Sequence, residues 1–316
     1  MTAKMLLKSA GKKLRDNYVS AGYPLLPLTR WLKGPLRWYY HRSPLLRHDS
    51  RAYWKPRLLS AVHELMVREH SPDFLIHGGR IKFRSMGSLM SVQGYYVGAI
   101  EHHLVQFILG RLRPGFVMFD VGAHHGAFTV VAAFELKSRG WEGLIHAFEP
   151  DPNNFALLEF NVRQNGLERY VVLHPEAVGE CQSRAKMVVD SRDNSAGFLE
   201  RVHSADELAS LGLPERREVN VTTLDSLLDS VSSVDLIKID VQNAEHLVLV
   251  GGQSIIDRSR PIIAVEAVEG WPNTGRIREF LLRHRYTIHG VDEAGQLCAS
   301  DGPEAFVSWD WIAVPS

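Results

Sequence analysis

The sequence predicts an α/β fold: a mostly parallel seven-stranded sheet with helices on both faces, preceded by a basic N-terminal extension. Three observations carry this. From residue 117 onward, segments with strand character alternate with segments of helical period, the spacing of βαβ units with right-handed crossovers. The strand cores VMFDV, LIHAF, VDLIKID and PIIAVEA are nearly continuous apolar runs, as strands covered on both faces require. The first of these strands stops at a glycine turn, Gly122 to Gly126, and the chain restarts as a helix. Together these make the sheet Rossmann-like.

The elements follow in order. Residues 1–18 can form an amphipathic helix with Met5, Leu6, Leu7 and Leu14 opposite the lysines, and Pro24, Pro27 and Pro35 then interrupt regular structure. A helix is expected over 55–69, a hairpin over 73–85 turning at Gly78-Gly79, and a helix over 96–111 that ends at Pro114-Gly115. Strands are expected at 117–122, 143–149, 170–175, 234–240, 261–266, 286–291 and 306–314, and helices at 126–139, 152–165, 244–250 and 274–284. The last strand has no crossover helix of its own and is expected to enter antiparallel. Residues 180–218 break the rhythm: they are polar, open with a strand over Ala185 to Val189, and suit a lid or substrate loop. The division expected is an extension, 1–70, and a catalytic-type domain, 71–316.

A chain of 316 residues with 45% hydrophobic and 23% charged residues can bury a full core. Cys181 and Cys298 are too few and too far apart for a disulfide framework and fit a reducing, cytoplasmic setting. No apolar run approaches the roughly 20 residues of a membrane span, and Lys8, Lys12 and Lys13 interrupt any secretory apolar stretch. The zero net charge hides an asymmetry. Residues 1–60 hold 13 Lys and Arg against Asp16 and Asp49, a surplus of +11, and the rest carries the matching −11. Tyr18, Tyr23, Trp31, Trp38, Tyr39, Tyr40, Tyr53 and Trp54 are interleaved with those basic residues. Such an arm suits docking on the acidic body, peripheral contact with an anionic membrane, or, less well, nucleic acid or a transit peptide.

The glycine spacing discriminates between cofactors. A dinucleotide site wants G-x-G-x-x-G, whereas this chain reads Asp120-Val-Gly122-Ala123-His124-His125-Gly126. The second glycine is missing and an acid precedes the first, a poor neighbour for pyrophosphate and a good one for a cation. S-adenosylmethionine, with its ammonium, sulfonium and ribose and no phosphate, matches. The alternatives are a dinucleotide, or a turn that only packs a helix on a sheet. Asp120 is then a partner for the ammonium group, and Gly122, Ala123 and Gly126 allow close approach. Glu149, 23 residues beyond Gly126 and followed by Pro150, is placed to accept from the ribose diol. Glu176 and Ala177 follow the third strand and border the adenine. Asp240 ends its strand at the same cleft, with Lys238 two residues back on the same face and Glu266 ending the next strand. For a hydroxyl acceptor the candidate bases are His124, His125 and Asp240. The acceptor candidates on the polar insertion are Arg192, Asp193, Asn194, Ser195 and His203. No ligand cluster indicates a metal.

The runs FDVGAHHGAFT, FEPDPNNFALLEFNVRQN, TTLDSLL, LIKIDVQNAEHLVLVGG and RPIIAVE, in this order over residues 85–268, resemble the FkbM family of S-adenosylmethionine-dependent methyltransferases. The resemblance implies a class I methyltransferase sheet and O-methylation of a hydroxyl on a sugar, glycolipid or natural-product-like acceptor, small or carried on a glycan or lipid. Two departures stand out. The family has Asn where this chain has His124. It reads Asp-Val-Glu-Gly-Ala-Glu where this chain has Asp240-Val-Gln242-Asn243-Ala-Glu245. Gln242 removes a charge on the acceptor side, where Glu245 is kept. That change motivates an alternative from another class, a catalytically silent methyltransferase-fold binding or scaffold module.

Overall fold

The computed structural model describes residues 73–77, 80–85, 101–190, 193–200, 215–268, 270–271, 273–292, 294–298 and 310–316. Packing divides the chain into two units, 1–100 and 101–316. In the first unit β1 (Asp73–Ile76) and β2 (Ile81–Arg84) form an antiparallel hairpin, as the sequence predicts, with Asp73 opposite Arg84 and Ile76 opposite Ile81. The helices expected at 1–18 and 55–69, the Gly78-Gly79 turn, Arg192 and His203 lie outside the described residues.

The second unit opens with α1 (His102–Leu109), which begins after Glu101 at φ +50° and lies within the range 96–111 expected to be helical. Then come β3 (Phe116–Val121), α2 (Ala127–Ser138), β4 (Gly143–Phe148), α3 (Pro152–Gln164) and β5 (Val171–His174). After an inserted small sheet the chain returns as β10 (Leu236–Ile239), α4 (Glu245–Gly251), α5 (Gln253–Ser259) and β11 (Ile262–Glu266). It ends with α6 (Thr274–Arg283), β12 (Tyr286–Val291), β13 (Leu297–Cys298) and β14 (Asp310–Pro315). The large sheet has the order β13-β12-β14-β11-β10-β3-β4-β5. The five strands from β11 to β5 are parallel, and β14 enters antiparallel between β11 and β12, as expected. Among the described residues the sheet has eight strands, the seven expected and the two-residue β13, which pairs with β12. The helix expected at 244–250 is followed by a second, α5, that the sequence reading left out.

This order positions the site. From β3 the chain steps one way to β4 and β5, then returns to β10 on the opposite side of β3. The strand order therefore reverses between β3 and β10, and ligands of open α/β sheets sit beyond the carboxyl ends of the strands at such a reversal. Register fixes which side chains share a face. Phe119 opposes Ile237 and His146, and Val121 opposes Ile239 and Phe148. This face packs with Ile263 and Val265 against Val248 and Leu249 of α4, Ile255 and Ile256 of α5, and Ile277, Phe280 and Leu281 of α6. Burying each such side chain contributes about 2 kcal/mol. The other face carries Asp120 and Lys238 directly opposite one another, beneath α2.

The described residues of the polar stretch 180–218, expected to form a lid or substrate loop, are mostly sheet. β6 (Ala177–Val178), β7 (Ser183–Asp190), β8 (Asp193–Leu199) and β9 (Glu215–Thr222) form a four-stranded sheet of order β6-β9-β7-β8. One side is apolar, and Met187, Val189, Leu199, Val219 and Val221 cluster with Ala244 and Leu247 at the start of α4. The small sheet thus rests on the element that follows β10.

Candidate active site

The glycine turn is built so that its own polar groups are consumed. Gly122 has φ +77°, and a Cβ there would lie 1.8 Å from the carbonyl oxygen of Asp240, so β10 approaches the turn too closely for any side chain. Gly126 has φ +86°, and its Cβ would meet Leu158 Cδ1 of α3 at 2.4 Å. The Gly122 and Ala123 N–H groups donate to Phe148 O at 3.0 and 2.9 Å, Gly126 N–H donates to Ala123 O at 2.8 Å, and His124 N–H donates to a Glu149 oxygen at 2.9 Å. A pyrophosphate cradle needs such N–H groups facing outward. Here they tie the turn to the end of β4, which fits a nucleoside cofactor without phosphate.

Glu149 is 5% exposed and follows β4 directly. One carboxylate oxygen accepts from His124 N–H and the other from Asp151 N–H, both at 2.9 Å. Burial pushes its pKa up to about 7, against the lowering effect of those two hydrogen bonds and of the Asn154 side chain. A carboxylate has about four acceptor sites, so the two backbone donors and the Asn154 side chain leave about one for a ribose hydroxyl. Pro150 links Glu149 to Asp151, which caps α3 by accepting from the N–H groups of Asn153 and Asn154. Pro152 at the first helical position needs no such partner.

The two histidines of the turn have different surroundings. His125 is 0% exposed, its Nε2 is 3.1 Å from Asn154 Oδ1, and its carbonyl accepts from Asn161 Nδ2 at 2.8 Å. Burial first, and then His124, lower its pKa to about 3, so the ring is neutral at working pH. His124 is half-buried, has φ +52°, and stacks on His125 with ring centroids 3.6 Å apart.

Between the turn and β10 lies a buried ion cluster. Asp120 is 0% exposed and accepts from Thr129 Oγ1 of α2 at 2.6 Å. Lys238, 3% exposed, donates to Gly122 O at 2.9 Å. Its Nζ lies 3.5 Å from Asp120, 3.6 Å from Asp240 and 5.2 Å from the centre of the Phe128 ring. The cation is shared by two strand ends, which offsets the cost of burying it. Asp240 is the more open of the two acids, at 28% side-chain exposure, and also accepts from Gln242 Nε2 at 3.2 Å.

Further carboxylates crowd this end of the sheet. Glu266 is paired in register with Asp310, and its Oε2 is buried with no hydrogen-bond partner among the described residues. Burial, and then Asp240, Glu245 and Asp310, push Glu266 up to about 10. Glu101 is pushed up to about 8 by burial and then by Asp310 and Asp240. His103 Nε2 lies 3.3 Å from Asp310.

The loop after β10 takes a tight path. Gln242 has φ +55° and Asn243 φ +74°, both in the left-handed region. Glu245, 1% exposed, holds this loop by accepting from Val241 N–H at 3.0 Å and Asn243 N–H at 3.1 Å. Burial pushes Glu245 up to about 7. Glu176 is half-buried between β5 and β6, and Ala177 is buried in the small sheet. Asp193, Asn194 and Ser195 lie in β8.

The turn, Glu149, Lys238 and Asp240 are therefore brought together at the switch point. Sequence reasoning missed Thr129, nine residues from its partner Asp120, and Asn154, Asn161 and Arg217, whose side chains meet His125, His125 and Asp151 from 29, 36 and 66 residues away. Only Asn154, three residues after the capping Asp151, had a local signal. Among the described residues no group of three or more His, Cys, Asp or Glu side chains is arranged to hold a metal ion. Among them also, no helix is long and apolar enough to cross a membrane.

Comparison with known proteins gives the following likenesses. The 31-O-demethyl-FK506 methyltransferase FkbM of Streptomyces tacrolimicus is 28% identical over 205 residues, 56% of this chain and 75% of that protein. The solved structure of methyltransferase FkbM from Methylobacillus flagellatus KT is similar with a TM-score of 0.41 and 16% identity, covering 72% of this chain. The chain spans 56% of that protein's length. An O-methyltransferase from Bacillus cereus, solved in complex with SAH, is similar with a TM-score of 0.37 and 14% identity over 68% of this chain and 80% of that one. These structural likenesses are partial, and the assignment rests on the sequence. Residues 120–288, more than half of the 316, match the Methyltransferase FkbM domain, and the chain belongs to that family.

Proposed function

We propose that this methyltransferase-family chain uses S-adenosylmethionine to methylate a hydroxyl oxygen on a sugar, glycolipid or natural-product-like acceptor. The observation that carries the cofactor is Glu149, a buried acid at the end of β4 beside a turn whose N–H groups are already bonded. When bound, the cofactor supplies a methyl group on a sulfonium, already activated for in-line displacement. What remains for the chain is to bind, to aim the acceptor oxygen and to take its proton. Glu149 is the ribose partner in this reading, and Gly122, Ala123, Gly126, Pro150, Glu176 and Ala177 border the nucleoside. Asp120, enclosed by Thr129 and Lys238, acts on the cofactor's cationic groups through the local field.

Asp240 is the base of choice, as a half-buried carboxylate held by Lys238 and Gln242. His125, buried and neutral, orders the turn, with His124 stacked on it. Gln242, Glu245, Glu266, Asn194 and Ser195 belong to the acceptor side. The test is incubation with methyl-labelled S-adenosylmethionine and a panel of alkyl glycosides and hydroxylated macrolides. O-methylated product that Asp240→Asn no longer forms supports the reading, and label transferred only to nitrogen or carbon overturns it.

The Gln242-Asn243 departure favours a second reading, a silent module, which predicts cofactor binding with no transfer to any acceptor. The basic aromatic arm, residues 1–60, is proposed to make peripheral contact with an anionic membrane. Sedimentation with acidic liposomes should fall with added salt and vanish when residues 1–60 are removed.

A further inference from the structure

A continuous set of hydrogen bonds runs from the inserted small sheet to Glu149, and nothing in the proposed reaction uses it. Its outer end is Arg217 on β9. The guanidinium is held as a fork by Glu215, with Nε and Nη2 donating to the two Glu215 oxygens at 2.9 and 2.7 Å. Its Nη1 donates to Asp151 Oδ2, and with the Asn153 amide turned to accept, both Nη atoms lie 3.2 Å from that side-chain oxygen. Asp151 is 2% exposed, and its other oxygen accepts from the first N–H groups of α3. The Asp151 N–H donates to Glu149 Oε1 at 2.9 Å, and Glu149 Oε2 accepts from His124 N–H in the glycine turn.

The arrangement has a directional logic. Asp151 belongs to no strand: it sits in the two-residue link between Glu149 and α3, where its backbone would otherwise be fixed only by the cap. Two parallel N–H···O bonds to Glu215 fix the plane of the guanidinium, which a point charge could not do, and the remaining Nη1 reaches Asp151 by a single bond. Arg217 fixes the Asp151 carboxylate, the cap fixes the peptide that carries it, and that peptide's N–H fixes the aim of one Glu149 oxygen. Glu215 anchors the arginine from the exposed side, so the fork arrives pre-oriented.

We propose that Arg217 is a positioning residue for the cofactor's ribose, acting through Asp151 on Glu149, so that the inserted sheet sets the affinity of the nucleoside site. This rests on the reading of Glu149 as the ribose partner. The insertion is thereby part of the cofactor site and not a cover over the acceptor alone.

The test is calorimetric binding of S-adenosylhomocysteine and of its 2′-deoxyribose analogue to the full chain and to Arg217→Gln, Arg217→Lys and Glu149→Gln, with melting curves as a folding control. Arg217→Gln should weaken S-adenosylhomocysteine about tenfold, the scale of coupling within one hydrogen-bond network, and should narrow the preference for ribose over deoxyribose. Arg217→Lys should fall between, and it serves alone if the glutamine variant does not fold. An unchanged ribose preference in a folded Arg217 variant overturns the proposal and leaves Arg217 as a fastener of the small sheet. If Glu149→Gln itself binds both ligands as the wild type does, the reading beneath the proposal fails, and the two failures are told apart.

Discussion

Two turns at neighbouring strand ends, one after β3 and one after β10, solve the same geometric problem with different residues. Both leave a parallel strand, enter the left-handed region and start a helix. After β3 that region is occupied by Gly122 and Gly126, with His124 between them, and each glycine is pressed against another element. After β10 it is occupied by Gln242 and Asn243, which carry side chains at φ +55° and +74°. Asp120, at the end of β3, is sealed by Thr129 and Lys238, whereas Asp240, at the end of β10, is partly exposed. The first turn is closed, with its N–H groups tied to the end of β4 and to its own carbonyl, and is the one proposed above to border the cofactor. The second holds two side-chain-bearing residues at positive φ beside crowded acids, on the proposed acceptor side.

This contrast can be broken most severely at Gly122. Gly122→Ala must fit a Cβ against the Asp240 carbonyl at a positive φ, and we expect a loss of about 4 kcal/mol in denaturant unfolding. A loss below that of Asn243→Ala, about 1 kcal/mol, would erase the distinction between the turns.

Next in size is the pH dependence of the cofactor site. Glu149 has a folded pKa of about 7, and a ribose diol donates to its ionised form, so cofactor affinity should rise with pH. Between pH 6 and pH 8 the gain should be about tenfold, levelling above pH 8, in calorimetric titrations. Stability of the free protein runs the opposite way. A carboxyl raised above its unfolded value of 4.5 keeps its proton longer when folded, so its contribution is full below pH 4.5 and is lost as pH rises to about 7. Glu149→Gln should flatten both curves.

Smaller effects sharpen the β10 side. Gln242→Glu, which restores the family's acid, sets a second carboxylate beside Asp240 and should cost about 1 kcal/mol at neutral pH, recovered on acidification. Asn243→Gly should stabilise by about 0.5 kcal/mol, because it relieves the positive φ. Thermal melting of the two variants at matched pH reads both.

Much of this organisation is legible in the chain. The apolar runs around Phe119, Ile237 and Ile263 give the buried parallel strands, and the missing crossover before β14 gives its antiparallel entry. The spacing of Gly122, Gly126 and Glu149 gives the turn and the acid opposite it. What was not legible depends on distant partners. Of the small sheet only the strand over Ala185 to Val189 is legible, because its exposed side is polar: Arg184 and Lys186 are exposed while Met187 and Val189 pack toward α4. The break between α4 and α5 falls at Gly252, φ −114°, next to Gly251, where a Cβ would lie 1.9 Å from the Gly179 carbonyl oxygen, a contact across 72 residues. Arg217 reaches Asp151 from 66 residues away, and no local pattern announces that pairing.

The measurement that bears most directly on the central claim is calorimetric titration of the full chain with S-adenosylmethionine at pH 8, beside Glu149→Ala. The account predicts saturable binding by the wild type that the folded variant loses. A folded wild type that does not bind, or a variant that binds equally well, would contradict it.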